Sequence, residues 1–139
     1  MIKQRNIVIS HPDTGEEEWQ ALREPLRTGW LTQGPKVEAF EKAFAKRHGV
    51  KYALATSSCT TALHLILTAL NIGPGDEVIV PAFTWVSTAN VVLYCGATPV
   101  FVDVDRTTYN IDVAQISEKL SKRTKAILPV HLFGQCADL

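Results

Sequence analysis

Hydrophobic positions in this chain change their period along its length. Near the start they recur at helical spacing. Val37, Phe40, Ala43 and Phe44 fall at i, i+3, i+6 and i+7, which predicts an amphipathic helix over 37–47 that Gly49 stops. A helix is also predicted over 16–26, where Glu16, Glu17 and Glu18 put negative charge in the first turn and read as a solvated face. Residues 1–15, with Pro12 and Gly15, read as irregular, and TGWLTQGP as a loop. From residue 52 the pattern alternates, with strands predicted over 52–56, 77–80, 98–102 and 125–130 and helices over 60–70, 86–94 and 113–120. The 60–70 segment is apolar almost all round, which predicts burial on every side, and Gly73 and Pro74 end it. Asp112 is placed to cap the 113–120 helix, with Gln115 three residues on in a variant of the capping box.

Strands separated by helices predict βαβ units, a mostly parallel sheet and helices on both faces, hence an α/β fold. In such sheets ligands gather outside the carboxyl ends of the strands. The 125–130 strand runs into HLFGQCADL, a loop and the first residues of another helix, so the chain is expected to be one part of a larger α/β domain.

Composition narrows the function classes. In 139 residues, 46% are hydrophobic and 20% charged, which fits a soluble globular chain rather than a disordered one. Lys plus Arg equals Asp plus Glu at 14 each, so no basic field attracts nucleic acid or anionic lipid. No apolar run approaches the roughly 20 residues of a membrane span, and MIKQRNIVIS lacks the apolar core of a signal peptide. Cys59, Cys95 and Cys136 form no CxxC pair, so neither a disulfide framework nor a metal site is expected and a reducing cytoplasm is the plain reading.

Two segments should stand at the carboxyl edge. TSSCTTALHL, residues 56–65, feeds small hydroxyl residues into a helix N-terminus. Unpaired N–H groups and the positive dipole end there suit an anion such as phosphate, while simple capping by Ser57 or Ser58 is the competing account. PAFTWVSTAN, residues 81–90, puts Trp85 just past a strand. An indole there either lies against a flat heterocycle or fills the gap between sheet and helix. His131 directly follows a strand, within reach of substrate or cofactor. His64 reads as a core histidine, Asp103 and Asp105 as turn caps, and Cys59 as a small packing residue without a base to activate it. IGPGDEV precedes a strand and is not GxGxxG, which argues against a nicotinamide site.

GWLTQGPKVEAFEKAF, TSSCTTALHL, IGPGDEVIVPAFTWVSTANVVLYCGATPVFVDVD and TKAILPVHLFGQCADL together resemble the DegT–DnrJ–StrS family of sugar aminotransferases over nearly all of residues 28–139. The resemblance implies the N-terminal part of the large domain of a fold-type I pyridoxal-phosphate aminotransferase. Residues 1–35 would form an N-terminal helix and active-site loop, and 36–139 the alternating α/β part. It implies that Thr60 and Thr61 hold the cofactor phosphate, that Trp85 stacks on the pyridine ring, and that Thr32 of the TGWLTQGP loop helps line the site, with His131 the second substrate candidate by its position after a strand. It implies a nucleotide-sugar substrate, glutamate as amino donor, and a homodimer with sites at the subunit interface. It also implies that the strand at 52–56 lies apart from the other three. The family's Schiff-base lysine and the acidic partner of the pyridine nitrogen belong to motifs this chain does not contain. The chain alone is therefore expected not to turn over, and no role passes to Lys51, Lys122 or Lys125. A sugar dehydratase on the same scaffold, or a non-catalytic remnant, are the alternatives.

Overall fold

The computed structural model describes residues 10–138. Of the irregular stretch expected over 1–15, residues 1–9 lie outside the described residues, and 10–15 form neither helix nor strand. The chain divides into two compact units, Met1–Ala55 and Thr56–Leu139.

In the first unit, α1 spans Glu16–Thr28 and α2 spans Pro35–His48. The N–H of Gly15 donates to Glu18 Oε2 at 2.7 Å, one half of a capping box. Pro35 occupies the first turn of α2, where its missing N–H costs nothing, and Gly49 closes the helix at φ 65°. Lys36 pairs with Glu24 at 2.7 Å and so links the two helices. The predicted apolar stripe of α2 exists as a geometric row, with the Phe40 and Phe44 rings 5.9 Å apart, but both rings stay exposed and only Ala45 is buried. The strand expected over 52–56 is not formed. A strand is defined by a partner, and among the described residues no ladder reaches this segment.

The second unit holds the sheet. Its elements are α3 (Cys59–Ala69), β1 (Glu77–Pro81), α4 (Ser87–Tyr94), β2 (Thr98–Val102), α5 (Val113–Lys119), β3 (Thr124–Ile127) and a 3₁₀ turn at Leu132–Gly134. The strands run parallel in the order β2-β1-β3, with β1 central and buried throughout. Alternation along β1 divides the core. Val78 and Val80 pack with Leu67, Val91 and Val92 under α3 and α4, while Ile79 faces the other way, against Val102, Ile111 and Ala137. Helices therefore cover both faces, as the alternating pattern predicts. Glu77, at the buried start of β1, is compensated by the Ser121 hydroxyl and the Arg123 guanidinium.

Two expectations change. The apolar α3 is not buried all round: Leu67 is enclosed against α4, but Leu65, Ile66 and Leu70 are exposed. Composition measures what a helix surface is able to bury, and only neighbours decide what it does bury. The helix expected within HLFGQCADL is replaced by the short 3₁₀ turn, and residues 135–138 are irregular. Asp112 does cap α5, accepting from the Ala114 N–H at 3.0 Å, but the Gln115 side chain donates to the Asp112 carboxylate rather than accepting from the Asp112 N–H, which donates to the Asp103 carbonyl. Among the described residues, no helix is long and apolar enough to cross a membrane.

Candidate active site

The carboxyl edge of the sheet is shaped by local chemistry. Small residues after position 55 let the chain turn into α3, and Ser58 caps it by accepting from the Thr61 N–H at 3.1 Å. The other hydroxyls of this segment are largely self-satisfied. Thr56 Oγ1 donates to the Ser58 carbonyl at 3.0 Å, and the Thr61 hydroxyl lies 3.0 Å from that of Ser58 and 3.3 Å from that of Ser57. Among the described residues, nothing accepts from the amides of Cys59 and Thr60 or pairs with the Thr60 hydroxyl. These are the orphan donors of a helix N-terminus.

Beyond β1, the chain passes Thr84 and Trp85 and enters α4, its first turn tied by the Thr88 N–H donating to the Trp85 carbonyl at 3.0 Å. The Thr84 and Thr88 hydroxyls sit 3.2 Å apart and satisfy each other. Trp85 is 76% exposed, so it does not fill the gap between sheet and helix. Beyond β3, Leu128 extends the ladder by donating to the Ile79 carbonyl at 2.8 Å, and the chain then reaches His131.

These three stretches enclose one open cavity of about 420 Å³, lined by Cys59, Thr60 and Leu63 of α3, by Thr84, Trp85, Ser87 and Thr88, and by 128–131. The structure thus brings Thr60, Trp85 and His131 to one hollow. Its size suits a small ligand, since such pockets run roughly 300–1,000 Å³. Thr61 is not on the lining, because its hydroxyl and amide are turned to Ser57 and Ser58. Thr32 belongs to the first unit, where it is exposed in the bend between α1 and α2.

The remaining candidates take quieter places. His64 is half-buried with its ring edge-on to Tyr94 at 5.7 Å, away from the lining. Asp105 makes the expected turn: its Oδ1 accepts from the N–H groups of Thr108 and Thr107, which hold its carboxyl below the ordinary value. Asp103 accepts from the Val104 N–H at 2.8 Å. The structure also shows residues not singled out from sequence. Asn110 is buried and bonded to the segment after β3, and Phe83, Tyr109 and Phe133 gather with ring centroids 5.9 to 6.5 Å apart. The only sequence signal for Asn110 was an amide residue set between Tyr109 and Ile111 in a loop that leaves a strand.

The residues present fit a phosphorylated planar ring. Two unsatisfied amides at a helix N-terminus supply donors for a dianion, and an exposed indole on the next loop supplies a flat surface.

The model of the DegT/DnrJ/EryC1/StrS aminotransferase family matches residues 12–139. The spore coat polysaccharide biosynthesis protein SpsC of Bacillus subtilis is 50% identical over 141 residues, covering 100% of this chain and 36% of that protein. The PLP-form of Spr1654 from Streptococcus pneumoniae, a candidate sugar aminotransferase, superposes with a TM-score of 0.90 at 40% identity, over 96% of this chain and 34% of that one. NtdA from Bacillus subtilis with bound cofactor PMP superposes at 0.81 with 44% identity, over 86% and 28%. The chain spans about a third of the length of these relatives.

Proposed function

The chain belongs to the DegT/DnrJ/EryC1/StrS aminotransferase family, and on that premise we propose that it supplies the phosphate-holding and ring-stacking part of a pyridoxal-phosphate site. The enzyme would aminate a keto-sugar nucleotide in amino-sugar biosynthesis. Its parallel sheet with helices on both faces is the architecture of the N-terminal part of a fold-type I large domain. The observation that carries the proposal is the shared cavity: orphan amides of α3 on one wall and the exposed Trp85 indole on another. Relatives solved in PLP-form and with PMP bound support the choice of ligand.

When bound, pyridoxal phosphate would carry the amino group from an amino-acid donor, which leaves as its keto acid, to the sugar's carbonyl carbon, its ring serving as electron sink. The residues of this chain bind and orient. The Cys59 and Thr60 amides and the Thr60 hydroxyl take the phosphate at the positive end of α3, an interaction worth about 0.3–1 kcal/mol when exposed and up to ~2 when partly buried. Thr61 joins them when its hydroxyl leaves Ser58. Trp85 would cover one ring face, and His131 would serve the substrate. Activity is assigned to a protein of the relatives' length acting as a cytoplasmic homodimer, a reading supported by the family and by three unpaired cysteines.

The test is a titration of the full-length protein with pyridoxal phosphate, followed by indole fluorescence, then incubation with glutamate and a keto-sugar nucleotide. Saturable quenching that the Trp85→Ala variant loses, with formation of an amino sugar, is the expected result. Absence of saturable binding overturns the proposal.

A further inference from the structure

Asn110 is the best-satisfied buried polar side chain at this edge. It is 4% exposed. Its Nδ2 donates to the carbonyls of Gln135 at 3.2 Å and Cys136 at 3.1 Å, and its Oδ1 accepts from the Leu132 N–H at 3.0 Å. One amide thereby grips three backbone groups of the loop after β3. Its own backbone is pinned in turn, since its carbonyl accepts from the Asp105 N–H at 2.9 Å. Tyr109 before it and Phe133 within the gripped loop both hold positive φ, 59° and 53°, which aromatic residues adopt only when their surroundings enforce it. The loop is thus held in shape by interactions outside the cavity.

That loop carries His131. The Ala137 N–H donates to His131 Nδ1 at 3.0 Å. A ring nitrogen that accepts a hydrogen bond carries no proton, so the neutral imidazole bears its hydrogen on Nε2. Ala137 immediately follows Cys136, one of the two residues whose carbonyls Asn110 binds. Asn110 therefore fixes the donor that fixes the tautomer.

We infer that Asn110 is a positioning residue that holds the 131–137 loop so that His131 offers an Nε2–H donor to an oxygen of the ligand in the cavity. The inference rests on the proposed pyridoxal-phosphate site for the identity of the ligand, but the tautomer and its dependence on Asn110 do not. His131 lines the cavity, and both the cofactor and the sugar carry acceptor oxygens.

Ring ¹⁵N–¹H correlation spectra of the full-length protein, without ligand, should show His131 as the Nε2–H tautomer. The Nδ1–H form overturns the inference. Asn110→Asp keeps the acceptor for Leu132 but faces two carbonyls with a carboxylate, and should give a mixed tautomer population with the far-UV circular dichroism of the wild type. An unchanged spectrum in that variant removes the positioning role. His131→Gln retains an N–H donor and His131→Phe does not. The pair should differ by about tenfold either in pyridoxal-phosphate affinity, assigning the acceptor to the cofactor, or in the Michaelis constant for the sugar, assigning it to substrate. No difference in either overturns the donor role. If the wild type binds no pyridoxal phosphate while the tautomer behaves as expected, the proposed function fails and the positioning of His131 by Asn110 stands.

Discussion

Substitutions two residues apart separate capping from anion binding in α3. Ser58 Oγ accepts from the Thr61 N–H, so Ser58→Ala removes the cap and should cost about 1 kcal/mol of stability, up to ~2. It also frees the Thr61 amide and leaves the Thr61 hydroxyl only its 3.3 Å contact with Ser57, so affinity for pyridoxal phosphate should not fall by more than about threefold. Thr60→Ala does the reverse. Its hydroxyl has no partner among the described residues, and alanine is a better helix former, so stability should stay within ~0.5 kcal/mol. The lost hydrogen bond to a charged phosphate is worth about 1.5–3 kcal/mol, which is roughly a 10- to 100-fold weaker dissociation constant. Urea unfolding and fluorescence titration of the two variants read both quantities. Should Thr60→Ala bind the cofactor like the wild type, the hollow above α3 is not the phosphate seat. Should Ser58→Ala cost nothing, the capping geometry is wrong as well.

Ile79→Ala, at the fully buried centre of β1, should cost about 2–5 kcal/mol in urea unfolding, and a loss under 1 kcal/mol would contradict the two-sided core. Gly96→Ala must adopt φ 74° and brings its Cβ to 3.1 Å from Pro74 Cγ, so about 1–2 kcal/mol should be lost. The Glu77 carboxyl lies below its ordinary 4.5, first through the Ser121 hydroxyl and then through Arg123. A depressed folded-state value means stabilisation present above the unfolded pKa and lost as pH falls through the folded one. Glu77→Gln should therefore flatten the fall of the urea midpoint as pH drops below about 5, and an identical acid limb in wild type and variant would remove Glu77 from the account.

Period and punctuation made the second unit legible. The strands at 77–80 and 98–102 appear within a residue of their expected ends, because each is a short apolar run bounded by Gly, Pro or Asp, and β1 is buried on both faces. Residues 52–56 have the same apolar look but no partner, and a strand without a ladder cannot be told from an extended segment by composition. α3 shows the same limit in a helix: an apolar surface at Leu65, Ile66 and Leu70 was read as burial, yet burial belongs to a pair of surfaces. At the site, Trp85 and His131 stood out because each follows a strand, whereas Thr60 was singled out by the family resemblance within a segment that opens a helix. Asn110 was not, since its importance lies in three backbone groups more than 20 residues along, a relation no local pattern records.

The geometry also says how the proposed anion seat should behave toward salt. Among the described residues, no Asp, Glu, Lys or Arg lines the cavity. Its positive character comes from donors: the first turn of α3 contributes Cys59 and Thr60, and the first turn of α4 contributes Ser87. Partial charges on helix ends act within about a turn, and the attraction does not extend far into solvent. A cation-lined pocket would draw phosphate over a Debye length of roughly 8–10 Å and weaken steeply as salt screens it. A donor-lined pocket holds its ligand by close contacts, so chloride should matter little. Sulfate and inorganic phosphate, which reproduce the tetrahedral acceptors, should compete directly. Titrating pyridoxal phosphate against rising chloride and then sulfate at equal ionic strength distinguishes the two. Equal loss of affinity in both salts would mean that long-range charge, and not the amides of α3, holds the phosphate.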